Sequence, residues 1–284
     1  MIVAALVLNY NDASQTLDCL SDLAELSSNL RLYAVDNGST DGSASKLRQS
    51  AIPDETIVLE DNFGFAKGMN KGIDAALTKE ADYIWILNND IKIPTEFSLD
   101  ELITIVSEDD VGAVSPLIRH PDGEIWFSQS ELDMEKINAR NLTHSITGIV
   151  ETDHMPLAAA LVDASLLRDV PIPEGYFMYW EDVEWAVRAR EAGYRLVTTA
   201  DVNVIHDAGS SSNQALKSYY TARNRWLFAR RFSQRVGSWR TPYLWLLFQL
   251  TLGRVLDRDV KAITALWKGA VDGALGKTGK GSYP

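Results

Sequence analysis

Four groups of side chains have the types and positions needed for chemistry. Asp36 follows an apolar run at residues 32–35, and its carboxylate can accept hydrogen bonds from an imide or a ribose hydroxyl. Asn88, Asn89 and Asp90 close a second apolar run. Asp90 can bind Mg²⁺ or Mn²⁺ through oxygen, and Asn88 adds a neutral amide oxygen. Glu181 and Asp182 open a helical stretch, where the dipole favours carboxylates. His206 ends the apolar run VNVIH. A lone histidine at a strand end is more often structural. In NFGFAKGMNKG, Gly64, Gly68 and Gly72 recur at i, i+4 on one helical face. They permit close approach of a backbone or ligand, with Lys67 and Asn70 in reach of phosphate or ribose.

The elements that must position these groups alternate. Residues 2–8 read as a buried strand ending at Asn9, residues 14–26 as a helix, and residues 32–35 as a second strand. Residues 56–59 form a third strand, 65–77 a helix, and 83–87 a fourth strand. A helix is predicted from Pro94 to about Ser107, then a fifth strand over 111–114. Alternation of this kind implies a mostly parallel sheet flanked by helices, with ligands beyond the carboxyl ends of the strands. The pattern changes after residue 115. Strands are expected over 124–129, 158–162, 194–198 and 202–205, and a helix over 181–192. From about Ala215 to Leu275 the chain reads as helical, interrupted around 237–242, with a frayed tail.

Known nucleotide loops are missing. NYNDAS stands where a dinucleotide fold needs GxGxxG, and no GxxxxGK[ST] occurs. A nucleotidyltransferase would need a Gly-rich, Arg-containing loop at the first position, and that is absent too. What remains, in order, is VLNYND, VDNGSTDGS, DNFGFAKGMNKG, WILNND, YFMYWEDVEWAVRAREAGYRL, VIHDAGSS and YYTARNRW. In this order the motifs resemble the inverting glycosyltransferases of family 2, which have the GT-A fold, and within them the rhamnosyltransferase-like branch. The resemblance runs from Val7 to about Arg231.

The resemblance implies an α/β GT-A fold with a helical C-terminal extension. Residues 1–212 would be the catalytic domain, with a nucleotide half (1–115) and an acceptor half (116–212), and 213–284 the extension. It implies a sugar moved from a nucleoside diphosphate sugar to a hydroxyl of a lipid-linked or cell-surface glycan precursor. Asp182 would be the general base, with Glu181 orienting donor or acceptor. Asn9, Tyr10, Asp36, Gly64, Lys67, Asn70, Asn88 and Asn89 would bind the donor, with Tyr10 stacked on the base. Asp90 and His206 would hold Mn²⁺ or Mg²⁺. Tyr179, Trp180, Arg223 and Arg225 would meet the acceptor. Two departures keep a second reading open, a sugar-nucleotide-binding or scaffold protein without turnover. Asn88 stands where the family commonly has Asp, and Ala158, in LAAA, where it has Gly. Arg225-Trp226 partly matches the QxxRW of processive synthases, but Ala222 holds the Gln position.

Charge separates two surfaces. The 284 residues carry a net −12, but residues from Lys217 onward hold 13 basic and 3 acidic side chains, a net of +10, against −22 before them. The acidic body argues against nucleic acid as a partner. The basic segment, residues 217–280, mixes arginines with Trp, Phe and Leu. It suits an anionic membrane surface, packing on the acidic body, or a homodimer contact. Cys19 is the only cysteine, so no intrachain disulfide forms. No apolar run reaches about 18 residues, and the N-terminal run is too short for a signal segment. The expected location is cytoplasmic, peripheral at the inner membrane face.

Overall fold

The computed structural model describes residues 1–26, 30–207, 213–236 and 238–281. Residues 208–211 of the VIHDAGSS motif, Gly237 in the expected helix break, and the last three residues of the tail lie outside the described residues.

The apolar run after Ile2 forms β1 (Val3–Asn9), buried along nearly its whole length. The helix α1 (Ala13–Ala24) follows, capped by the Asp12 side chain on the Gln15 amide. It buries Thr16, Cys19, Leu20 and Leu23, the helical spacing that turns one face to the sheet. Then come β2 (Leu30–Asp36), α2 (Ser43–Gln49), β3 (Glu55–Val58), α3 (Phe65–Thr78) and β4 (Tyr83–Asn88). β1 pairs in parallel with β2 and β4, and β2 with β3. Asn9 stands opposite Asp36, and Leu8 opposite Asn88. That register lines the polar strand ends along one edge.

A two-residue strand β5 (Ile91–Lys92) precedes α4 (Leu99–Val106) and β6 (Val111–Arg119). α4 starts later than Pro94 because Ser98 caps it, accepting from the Glu101 amide. Short strands β7 (Ile125–Phe127), β8 (Gln129–Asp133), β9 (Asn138–Leu142) and β10 (Ile149–Glu151) lead to β11 (Ala159–Asp163) and α5 (Ala164–Asp169). β11 inserts antiparallel between β4 and β6. α6 (Glu181–Glu191) and β12 (Arg195–His206) follow. The two strands expected over 194–198 and 202–205 are one, bent by an irregularity between Thr199 and Asn203 where it pairs with β6. Among the described residues the main sheet has ten strands, ordered β10-β12-β6-β11-β4-β1-β2-β3 with β5 on β12 and β7 on β6. Six of its strands, β1, β2, β3, β4, β6 and β12, run one way.

The C-terminal segment is α7 (Gln214–Arg231), α8 (Ser233–Val236), α9 (Arg240–Leu256) and α10 (Val260–Ala274). A break at 257–259 was not legible, although Asp259 caps α10 on the Ala262 amide. α10 lies close against α7 because Gly269 and Gly273 face it. A Cβ at Gly269 would collide with the Tyr219 carbonyl, and one at Gly273 with the Arg223 carbonyl. A second apolar core joins Tyr176, Trp180 and Val183, around the start of α6, to Phe228, Tyr243 and Leu266 of the C-terminal helices. α9 buries only Tyr243 and Leu247. Leu244, Trp245, Phe248, Leu252 and Val255 stand 51–60% exposed on it.

Candidate functional site

A cavity of about 640 Å³ opens at the carboxyl ends of β4 and β12. Asn88, Asp90 and His206 stand on one wall, and Tyr179, Glu181 and Asp182 on another. Residues 156–158, leading into β11, form a third, and Phe65, Trp126, Met178 and Lys217 complete the lining.

The pairing of β5 with β12 sets His206 opposite Ile91 and thereby beside Asp90. His206 Nε2 is 3.1 Å from Asp90 Oδ1. The two atoms are not aligned as a hydrogen bond, and Asp90 Oδ1 and His206 Nδ1 are both buried without a hydrogen-bond partner. Trp126 meets the imidazole edge-on at 4.4 Å between ring centres. A carboxylate oxygen and a ring nitrogen that approach without bonding fit a divalent cation between them. No group of three or more His, Cys, Asp or Glu suited to a metal occurs among the described residues. The donor set is therefore a partial one, of the kind that leaves room for substrate oxygens.

The carboxylate pair is presented by a strained turn. Tyr179 and Trp180 adopt φ of 66° and 76°, the left-handed region that non-glycine residues avoid. Asn224 on α7 holds this turn, donating from Nδ2 to the carbonyls of Met178 (2.7 Å) and Tyr179 (2.8 Å). Glu181 is buried and its Oε2 has no partner. Burial pushes its carboxyl up to about 8, and the adjacent Asp182 charge adds to the shift. Burial also raises Asp182, to about 6, while backbone amides pull the other way, with Val183 N donating to Oδ1 at 2.8 Å. Burial raises both carboxyls, and two adjacent buried carboxyls resist ionising together. Such a pair can offer one carboxylate base beside one neutral acid.

Asp36 is wholly buried at the adjoining strand ends. It accepts from Asn9 Nδ2 at 2.7 Å and from the Ser39 amide at 3.0 Å. Asn9 also takes a hydrogen bond from Thr16 Oγ1 at 2.7 Å, so its amide is spent on holding Asp36. Tyr10, beside it, is 46% exposed and free to stack. Asn89 Nδ2 reaches Thr16 Oγ1 at 3.3 Å. Lys67 Nζ sits 4.1 Å from the Phe63 ring centre.

Several expected ligand contacts are structural instead. Asn70 donates to the Ile172 carbonyl (2.9 Å) and to Glu174 Oε1 (3.0 Å), tying α3 to the loop before α6. Gly64 makes its close approach to the Phe177 backbone, where a Cβ would collide with the carbonyl. Gly68 and Gly72 meet Leu8, Asn37 and Val35 rather than a ligand. Trp180 is turned inward against Phe228 by its left-handed backbone and offers no sugar-stacking face. Arg223 is fully buried, donating to the Gly279 carbonyl and to Asn224 Oδ1. Arg225 is buried too, but lines a second cavity. Sequence reasoning missed Lys217, Trp126, Met178 and Phe65 as cavity residues. Lys217 carried one signal, as a cation in the first turn of the helix after His206.

Residues 5–165 match the family model described as glycosyl transferase family 2. The chain belongs to that family and is a glycosyltransferase enzyme. It is 26% identical over 75% of its length, and 78% of the relative's, to the N-acetylglucosaminyl-diphospho-decaprenol L-rhamnosyltransferase of Mycobacterium tuberculosis. It is 23% identical over 98% of its length, and 92% of the relative's, to the low-salt glycan biosynthesis hexosyltransferase Agl10 of Haloferax volcanii. Among solved structures it resembles the mannosyltransferase PcManGT of Pyrobaculum calidifontis, in complex with GDP-Man and Mn²⁺, with a TM-score of 0.61 at 18% identity. That match covers 96% of this chain and 86% of the other. GalNAc-T7 with UDP, GalNAc and Mn²⁺ matches at TM-score 0.61 and 14% identity, over 80% of this chain and about half (51%) of the other. The fold is GT-A.

Proposed function

We propose that the chain transfers a hexose, with inversion, from a nucleoside diphosphate sugar to a hydroxyl of a lipid-linked or cell-surface glycan precursor. The observation that carries this reading is one cavity holding both a convergent Asp90–His206 pair and an adjacent Glu181–Asp182 pair. Asp90 and His206 would hold Mn²⁺ or Mg²⁺, which when bound neutralises charge developing on a leaving diphosphate. Asp182 takes the proton of the acceptor hydroxyl. Glu181, neutral at pH 7, donates a hydrogen bond to a sugar hydroxyl. Tyr10 stacks on the nucleotide base, the buried Asp36 fixes Asn9 and the Ser39 amide, and Lys217 and Tyr179 border the sugar. Inversion follows from a single in-line displacement with one base.

The relatives' names support the acceptor class, since one acts on a diphospho-decaprenol carrier. No helix among the described residues is long and apolar enough to cross a membrane. The exposed apolar face of α9, flanked by Arg240, Arg254 and Arg258, suits a helix lying on an anionic membrane surface. On this reading residues 1–212 carry the reaction and 213–284 both complete the site and meet the membrane.

Transfer and donor hydrolysis with Mn²⁺ across UDP-, dTDP- and GDP-sugars test the reading. Asp182→Asn should lower turnover by about 10²–10⁴-fold while sparing nucleoside diphosphate binding. Unchanged turnover in that variant removes Asp182 as the base. Binding without turnover of any donor favours the scaffold reading.

A further inference from the structure

Beside the catalytic cavity lies a second one of about 160 Å³, between α7, α9 and α10. Lys217 lines both, so the two share a wall. The small cavity is rich in donors. Arg225 and Arg254 face it, with Gln214, Ser218 and Thr221.

Arg225 is the informative residue. It is only 8% exposed, yet no carboxylate pairs with it among the described residues. Its guanidinium lies 5.0 Å from the centre of the Trp180 ring, and its Nε is buried without a hydrogen-bond partner. A buried guanidinium costs several kcal/mol of desolvation unless an anion compensates it, and the described residues supply none. Arg254 has a carboxylate nearby, Asp257, but only at 3.7 Å and with Asp257 largely in solvent. The Gln214 side-chain amide lies against the Arg254 guanidinium. Leu250, one turn before Arg254 on α9, and Leu266 of α10 also line it. The same helix α9 carries the exposed apolar residues. The cavity therefore combines cations with apolar side chains.

We infer that this second cavity binds the phosphate or diphosphate of a lipid-linked acceptor, with Arg225, Lys217 and Arg254 as its cations, and so sets the acceptor hydroxyl beside the catalytic cavity. This rests on the glycosyl-transfer reading above. Planar, forked guanidinium groups suit phosphate oxygens, and a buried arginine gives the site selectivity that surface lysines lack. The same anion could come from the acceptor or from a phospholipid headgroup, and the inference commits to the acceptor.

Farnesyl diphosphate serves as the probe, measured by calorimetry against the full chain with Mn²⁺, with farnesol and inorganic pyrophosphate as controls. Arg225→Gln and Arg254→Gln should each weaken farnesyl diphosphate binding at least tenfold. Affinity for UDP, dTDP or GDP, whichever binds, should stay within twofold. Arg254, which is partly exposed, keeps the test decisive if Arg225→Gln fails to fold. Unchanged farnesyl diphosphate affinity in a folded Arg254→Gln or Arg225→Gln overturns the inference. So does a defect confined to phosphatidylglycerol vesicles, which would assign the arginines to the bilayer. The underlying reading fails separately, when no nucleoside diphosphate sugar binds or turns over.

Discussion

Glu181→Gln should stabilise the protein increasingly as pH rises from about 4.5 to about 8. In the folded chain burial holds the Glu181 carboxyl near 8, against an ordinary value of 4.5. The raised value means that the folded state keeps a proton that the unfolded state has lost. That preference is fully present below about pH 4.5 and is lost as pH rises through about 8. Across this window stability falls by up to about 1.36 kcal/mol per pH unit. From about pH 5.5, clear of the isoelectric point near 4.8, to about pH 8.5 the loss approaches roughly 3 kcal/mol as an upper bound. The coupled ionisation of Asp182 reduces it. A neutral glutamine of the same shape carries no such loss. Urea denaturation with EDTA, which keeps a cation from entering the cavity, gives the free energies directly. The expected result is a stability gain for the variant of at least about 1 kcal/mol at the higher pH relative to the lower. A gain that is the same at both values, or a loss at the higher one, refutes the argument that Glu181 is buried as a neutral acid.

Three further outcomes are expected. His206→Ala should raise the Mn²⁺ concentration for half-maximal activity at least tenfold, and an identical titration removes His206 from the metal pair. Trp245→Ser with Phe248→Ser replaces side chains that are 60% and 55% exposed. It should therefore barely change stability but weaken binding to anionic vesicles at least tenfold, since burying either side chain contributes about 1.5–3 kcal/mol; a wild type that ignores vesicles sinks the membrane reading. Asn224→Ala removes the donor to the Met178 and Tyr179 carbonyls, at a cost of about 1–3 kcal/mol. It should lower kcat more than nucleoside diphosphate affinity, and an unchanged kcat shows that α7 does not position the carboxylates.

The nucleotide half was legible because its signals are local. Apolar runs that end in Asn9, Asp36 and Asn88 state both the strand and the edge that carries the site. The pairing of His206 with Asp90 was legible only through the resemblance, since nothing between residues 90 and 206 announces that β5 returns onto β12. Asn70 and Gly64 were ambiguous for a shared reason. Their spacing says that something approaches closely, but not whether a ligand or the loop before α6 does so. Here the loop does. Arg223 and Arg225 stand two residues apart, and sequence cannot say which will be locked into backbone contacts. Burial geometry separates them, one sealed by Gly279 and Asn224, the other left facing a cavity.

The C-terminal helices read in sequence as an appendage, and the packing argues otherwise. Two consecutive left-handed residues, Tyr179 and Trp180, together cost about 2–6 kcal/mol, so the surroundings must over-determine them. Asn224 supplies two hydrogen bonds to the turn. Phe228 receives the Trp180 ring at 5.1 Å, and Arg225 lies over it. Glu184, one turn into α6, is wholly buried and is fixed by the Tyr176 hydroxyl at 2.5 Å, by Arg188 at 2.7 Å, and by Arg231 of α7. Most of these contacts come from α7, which α10 in turn buries through Gly269 and Gly273. The orientation of Glu181 and Asp182 thus depends on residues as far downstream as Gly273. Truncation near residue 238 would remove Trp239, Tyr243 and Leu266 from this shared core. It would disturb the carboxylates as well as any membrane contact. Only surface substitutions on α9 separate the two roles, because they leave the core that holds the turn intact.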